Sequence, residues 1–161
     1  MSETAVADAS PLIYLARTQS LHLLQLAAPE VFIPRAVALE IEARGPADPA
    51  ARALSITPWL RQVETPRIPN EILVWDLGAG ESAVLAWALA HPDSIAVLDD
   101  LGGRRCAETL GIRLRGTLGL VLRARRRNLI AEARPVLEAL RAAGMYLSDK
   151  TIDTALAEIG E

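Results

Sequence analysis

Short apolar runs alternate with helical patterns along the chain. Four runs predict buried strands at residues 4–7, 31–33, 95–98 and 112–114. Because these runs are apolar throughout, they favour a parallel sheet that is covered on both faces. Helical patterns predict helices over residues 12–17, 21–27, 34–44, 80–90, 104–110, 118–128, 132–143 and 149–159. The order of elements predicts a three-layer α/β fold, with a mainly parallel central sheet flanked by helices.

Two local features complete this prediction. Ser10 and Pro11 look like the N-cap and first-turn proline of the first helix. The proline-rich segment 46–78 is harder to interpret, and it predicts a short helix over 48–54, an edge strand over 60–64 and a loop. The remaining helices should pack on the same sheet.

Composition limits the class of protein. A chain of 161 residues that is 51% hydrophobic fits one domain, 1–161, on which the C-terminal helices at about 132–160 pack. No apolar run is long enough to span a membrane and the N-terminus does not resemble a signal peptide, so we expect a cytoplasmic protein. One cysteine and two histidines exclude an intramolecular disulfide, a cysteine zinc cage and a histidine-rich metal site. With a net charge of −3, any nucleic-acid contact must use a local basic patch.

Acidic residues occupy positions where a purely structural core would not need them. Asp8 follows the first predicted strand, and Asp99 and Asp100 follow the third. In parallel sheets, reactive groups collect beyond these carboxyl ends. Glu40 is predicted on the apolar side of its helix, and Glu81 begins the most hydrophobic helix in the chain. A carboxylate in such a position is costly unless it is paired or bound to a cation.

Structural interpretations stay open for each of these acids. Asp99 or Asp100 would cap the following helix, and Glu81 would interact favourably with the dipole of its own helix. Asp8 would accept hydrogen bonds from the turn that follows it, and Glu40 would pair with an arginine one turn on. Without basic partners nearby in sequence, the acids together favour a shared cation. Oxygen ligands without Cys or His select Mg²⁺ or Mn²⁺, which activate water and stabilise the departing oxygen of a phosphodiester.

Three segments resemble motifs of the PIN-domain family. The first segment resembles a motif in which an aspartate ends a strand and an apolar helix follows. Its sequence is VADASPLIYLAR. The second segment resembles a motif that consists of a strand, a proline and a helix with an inward glutamate. Its sequence is VFIPRAVALEIEARG. The third segment resembles a bacterial and archaeal PIN subgroup that is related to VapC-like toxins. Its sequence is LGAGESAVLAWALAHPDSIAVLDDLGGRRCAETLGIRLRGTLGLVLRA. That subgroup has a GE at a helix start, a DD followed by an Arg, and a GTLG-like turn.

The resemblance implies a PIN-like fold and a metal-dependent ribonuclease that cleaves single strands. It implies Asp8 as the first acid, Glu40 as the second, Glu81 as the third and Asp100 or Asp99 as the fourth. Together they would hold Mg²⁺ or Mn²⁺. Ser10 would position the first acid or its water, and Arg104 would contact RNA. Many relatives carry another aspartate where this chain has Gly102, so either Asp99 compensates or metal binding is weaker.

The implied partners are RNA, a cognate antitoxin and a second copy of the chain in a homodimer. The arginines at 123, 125, 126 and 127 would either contact RNA phosphates or form a solvated helix face, and the solvated face is the favoured interpretation. Two other functions stay open. A degenerate PIN module would bind RNA or a protein without cleavage. A phospho-acceptor receiver domain is less favoured, because it needs a late lysine after a strand and Lys150 follows none.

Overall fold

The computed structural model describes residues 4–161 and contains a parallel sheet within them. Its five strands in this range are β1 (Thr4–Ala7), β2 (Glu30–Pro34), β3 (Leu60–Val63), β4 (Ile95–Val97) and β5 (Leu114–Arg115). The order across the sheet is β3-β2-β1-β4-β5, and every neighbouring pair is parallel. The predicted α/β fold with helices flanking a parallel sheet is therefore confirmed.

Helices connect the strands and follow the sheet. They are α1 (Ala9–Arg17), a 3₁₀ helix (Leu21–Leu26), α2 (Arg35–Glu42), α3 (Pro49–Ile56), α4 (Asn70–Leu73), α5 (Ala79–Ala90), α6 (Leu101–Thr109), α7 (Thr117–Arg126), α8 (Arg134–Ala142) and α9 (Asp149–Glu158). None of these helices has both the length and the apolar character that crossing a bilayer requires.

The central helix of the core is α5. It packs against β1, β2 and β4, and also against α2. Its residues from Ser82 to Ala88 are all buried, as the apolar sequence on every side of this helix predicts. The long α5 therefore places its first turn rigidly at one edge of the sheet.

The predictions for individual elements needed several corrections. The first helix begins at Ala9, with Asp8 rather than Ser10 at the N-cap position. The fourth predicted strand lies at Leu114–Arg115 instead of 112–114. Ile112 belongs instead to the turn that ends α6, in which Gly111 has a φ of +71° and the Ile112 amide donates to the Ala107 carbonyl at 2.9 Å.

Helix ends account for the remaining differences. The helix predicted over 104–110 begins at Leu101, because Asp100 caps it. The helix predicted over 21–27 is a 3₁₀ helix over Leu21–Leu26. The segment predicted as a loop contains the single turn α4 after Pro69, while the predicted edge strand is present as β3.

Candidate active site

The acidic residues lie at the point where the sheet changes direction. From β1 the chain builds outward through β2 and β3, whereas β4 returns to the other side of β1 and continues to β5. Asp8 follows β1, and Asp99 lies two residues beyond β4. The Asp8 amide donates to the Val97 carbonyl at 3.0 Å, which extends the strand pairing to this residue. Ligand sites of open α/β sheets form in this crevice.

Asp8 is a buried carboxylate with a strongly perturbed pKa. Its exposed fraction is 5%. Burial raises the pKa of Asp8 from 3.8 to about 7, the Ala9 amide opposes this rise, and the charges of Glu81, Glu40 and Asp99 add to it. Within residues 4–161, no arginine, lysine or histidine forms an ion pair with Asp8. A buried negative charge without a cation destabilises the fold.

Gly80 allows two carboxylates to approach the first turn of α5. A Cβ atom at Gly80 would lie 3.1 Å from Asp8 Oδ1 and 3.1 Å from Glu40 Oε2. The two oxygens are therefore no farther apart than about twice that distance. The same Cβ would lie 3.4 Å from Val37 of α2. The glycine thus lets α2 pack close to α5 and leaves a space beside Asp8 that carboxylate oxygens line.

Glu40 differs from its sequence-based prediction. It is exposed rather than centred on an apolar face, because Leu39 and Ala43 beside it are exposed as well. The arginine one turn on, Arg44, pairs with Asp48 at 3.0 Å and not with Glu40. The glutamate nevertheless lies near Asp8, since its carboxylate extends from the open side of α2 to Gly80.

Glu81 caps its own helix while facing the other acids. Its Oε2 accepts a hydrogen bond from the Gly78 amide at 3.0 Å. Burial raises the pKa of Glu81, the Gly78 amide lowers it, and the charges of Asp100 and Glu40 raise it further. The favourable position at the helix N-terminus, expected from sequence, is therefore combined with repulsion from neighbouring carboxylates.

The aspartate pair after β4 caps two different helices. Asp100 Oδ2 accepts from the Gly103 amide at 2.9 Å and caps α6. Asp99 accepts from the Thr117 amide at 2.7 Å and from the Thr117 hydroxyl at 2.6 Å, at the start of α7. The capping of the following helix is therefore confirmed for Asp100, whereas Asp99 binds the start of the later helix α7. Asp99 adds to the charge felt by Asp8, and Asp100 to that felt by Glu81.

Four helix N-termini therefore converge on these acids. Asp8 precedes α1, Glu81 lies in the first turn of α5, Asp100 precedes α6, and Asp99 binds the first residue of α7. The positive end of each helix dipole stabilises a nearby negative charge. This arrangement offsets part of the mutual repulsion of the carboxylates.

The other predicted site residues lie around the cluster. Ser10 is half-buried in the first turn of α1. Arg104 Nη1 donates to the Leu98 carbonyl at 3.5 Å and lies near Gly116. A Cβ at Gly102 would lie 3.2 Å from Asp100 Oδ2, so a side chain there would begin beside this acid. The assigned roles of all these residues stay predictions.

The donor chemistry at this edge fits a hard divalent cation. All candidate donors are carboxylate oxygens, which Mg²⁺ and Mn²⁺ prefer. Within residues 4–161, no three acidic, histidine or cysteine side chains gather as closely as a complete protein-only metal site requires. Magnesium is usually held by one or two carboxylates together with water and substrate phosphates. The buried Asp8 and the neighbouring Glu40 meet this requirement.

Comparison with known families agrees with this geometry. A family model described as a PIN domain matches residues 4–161. The chain belongs to the PIN-domain family. Proteins with PIN domains are generally nucleases that act on RNA and use divalent metals. No curated protein matches the sequence.

Sequence reasoning missed two residues that shape this PIN-domain site. Gly80 lies in the quoted GAGE segment, but its close contact with two acids depends on how α2 and α5 pack. Thr117 lies in the quoted GTLG turn, and its two hydrogen bonds hold Asp99. Both residues were visible as parts of motifs, without a signal that revealed what they contact.

Proposed function

We propose that this chain is a Mg²⁺- or Mn²⁺-dependent endoribonuclease and the toxin component of a toxin–antitoxin pair that acts in the cytoplasm. The observation that carries the nuclease proposal is Asp8. It is a buried carboxylate at the switch point of the sheet, surrounded by further acids and without a cationic partner in the described part of the chain. Such a group is stable in its charged form when a cation neutralises it.

The proposed roles follow from the positions of the side chains. Asp8 and Glu40 hold the metal ion, with Glu81 and Asp100 completing its environment. When bound, such an ion lowers the pKa of water and stabilises charge on phosphodiester oxygens. Thr117 holds the Asp99 carboxylate by a hydrogen bond, so that Asp99 places a further negative charge near Asp8. Ser10 orients Asp8 or a water molecule, and Arg104 contacts a phosphate of the RNA.

An RNA-cleavage assay tests this proposal. Single-stranded RNA should be cleaved by the wild type with Mn²⁺ or Mg²⁺ and should stay intact with a chelator. Asp8→Asn should abolish cleavage, while the matched control Asp93→Asn should cleave normally. Asp93 is exposed and precedes β4, so it lies at the opposite end of this strand from Asp99. Equal cleavage by both variants would contradict the assignment of Asp8.

A second candidate function is an RNA-binding module that does not cleave. The specific observation in its favour is that Glu81, Asp99 and Asp100 each use an oxygen to bind a backbone amide. Gly102, which replaces an acid found in many relatives, points in the same direction. RNA binding by the wild type without any metal-dependent cleavage would favour this candidate over the nuclease.

Exposed apolar side chains beside the acids support the proposed protein partner. Leu39, next to Glu40, is 50% exposed, and Leu101, next to Asp100, is 60% exposed. An antitoxin segment that lies over the acids would bury both. Expression of the wild type should arrest growth, Asp8→Asn should not, and co-expression of an adjacent short reading frame should restore growth. Normal growth with the wild type would contradict the toxin proposal, and arrest by Asp8→Asn would contradict the role of Asp8 in it.

A homodimer is the proposed oligomeric state. Light scattering should give about twice the 17.3 kDa mass of one chain. A mass of one chain at every accessible concentration would contradict it.

A further inference from the structure

A basic hollow lies along α7, the helix whose first residue binds Asp99. Its volume is about 310 Å³. One acid, Glu158, also lies at its edge and is 3.8 Å from Arg126, but both of these side chains are largely exposed. The pair therefore neutralises little of the charge. The hollow is lined by four arginines: Arg115, Arg123, Arg126 and Arg127.

Three of the four arginines of the hollow, all except Arg126, form no ion pair within the described part of the chain. The Nε atoms of Arg115 and Arg123 are buried, and no protein atom there accepts a hydrogen bond from them. Burial, followed by the charges of Arg127 and Arg115, lowers the pKa of Arg123. A buried donor without an acceptor destabilises the fold. An anion in the hollow would relieve the repulsion among these arginines.

The helix dipole explains only part of this cluster. Arginines in the last turn of a helix interact favourably with its negative end, which accounts for Arg123 and Arg126 in α7. Arg115 lies outside the helix, at the end of β5, and still lines the same hollow. Because the whole chain carries a net charge of −3, the gathering of four arginines is a local feature.

The hollow is connected to the acidic cluster through the start of α7. Arg115 lies two residues before Thr117, which binds Asp99. Between them, a Cβ at Gly116 would lie 2.5 Å from Arg104 Nη1 and 3.2 Å from Asp99 Oδ1. With a rise of about 1.5 Å per residue, Arg123 lies only about 9 Å along the helix from Thr117. A short oligonucleotide is long enough to cover this distance.

We propose that the arginine hollow binds the phosphates of the same single-stranded RNA whose cleaved bond lies at the acids. The strand would pass from the acids over Arg104 and Arg115 and along α7 to Arg123 and Arg127. This inference rests on the proposed ribonuclease function and adds the path of the substrate. Phosphate contacts of this kind position the strand without reading its sequence.

Binding and cleavage are separated by working in the Asp8→Asn background. Fluorescence anisotropy with a labelled oligo-U strand, without divalent ions, measures affinity at several salt concentrations. Arg123→Gln with Arg127→Gln should weaken binding about tenfold or more, and the slope of log affinity against log salt should shrink by about 1.4, because each phosphate contact on a single strand contributes about 0.7. The matched control is Arg52→Gln with Lys150→Gln, which removes the same charge at exposed positions outside the hollow. It should bind like the background protein.

The outcomes distinguish this inference from the proposed function. Unchanged affinity and salt slope in the Arg123 and Arg127 variant would overturn the hollow as an RNA site, even if the wild type cleaves RNA. An arginine-dependent loss of binding in a protein that never cleaves would support the hollow and reject the nuclease. If poly-glutamate binding requires the two arginines while RNA binding does not, the hollow binds an acidic protein segment and the inference is wrong.

Discussion

At the scale of single residues, Asp8 makes the stability of the fold depend on pH. Its folded pKa of about 7 lies above the ordinary value of 3.8, so the folded chain binds more protons between these values than the unfolded chain. The stabilisation is complete below about pH 4 and is lost as pH rises through 7. Between pH 5 and pH 8, this contribution should fall by about 2–3 kcal/mol.

The prediction is tested with urea unfolding of the wild type and Asp8→Asn in the presence of a chelator. Asparagine carries no charge, so the variant should be more stable than the wild type at pH 8, and the difference should shrink at pH 5. Glu81 is present in both proteins, and its repulsion with Asp8 is part of the expected difference. Parallel pH profiles of the two proteins would show that Asp8 has an ordinary pKa.

Gly80 gives a second prediction at this scale. In a helix, Gly→Ala usually stabilises by about 1 kcal/mol. Here the new Cβ would lie 3.1 Å from oxygens of both Asp8 and Glu40, so the carboxylates must move. Gly80→Ala should therefore reduce Mn²⁺-dependent cleavage by about 10–100-fold, the usual effect of disturbing the support of metal ligands. Circular dichroism should show an intact fold, and cleavage at the wild-type rate would contradict the role of Gly80.

Residue positions were predictable from sequence where a strand end determines them. Asp8 and Asp99 follow buried apolar strands, and the rule for parallel sheets places them at one edge. The surroundings of Glu40 were not predictable in this way. Its carboxylate approaches Asp8 only because Gly80, on a different helix, leaves room. Such a contact depends on the packing of α2 against α5, which no local pattern encodes.

At the scale of elements, Asp100 both caps α6 and places a negative charge near Glu81. Two substitutions separate these two contributions. Asparagine caps helices about as well as aspartate, whereas alanine loses about 0.5–2 kcal/mol. Asp100→Asn should therefore keep the melting temperature and lose metal-dependent cleavage. Asp100→Ala should also lose cleavage, and its melting temperature should fall because the Gly103 amide is left without its acceptor. Full activity of Asp100→Asn would assign this residue to the α6 cap alone.

Helices and strands were predictable from sequence where their residues are uniformly buried. They were less predictable where a turn determines where the element begins or ends. The strands β1, β2 and β4 have buried apolar runs, and α5 is apolar on all sides. The two-residue β5 was shifted in the prediction, because the turn that ends α6 extends through Gly111 to the Ile112 amide and the strand begins only at Leu114. The single turn α4 is too short for a periodic pattern.

At the scale of the whole molecule, a bound divalent cation should stabilise the entire fold. A ligand that binds only the folded chain adds about 2.7 kcal/mol at a hundredfold excess over its Kd. For a domain of this size, that corresponds to a rise in Tm of about 5 °C or more. The cation also removes the repulsion around Asp8, whose pKa neighbouring carboxylates help to raise.

Thermal melting with and without Mn²⁺ tests this linkage on three proteins. The wild type and the control Asp93→Asn should both melt higher with Mn²⁺. Asp8→Asn should lose most of that gain, although without metal it should melt above the wild type at pH 8, because one buried charge is gone. The two effects have opposite signs, so a variant that is merely damaged would not reproduce them. An equal gain from Mn²⁺ in Asp8→Asn and in the wild type would place the metal away from Asp8.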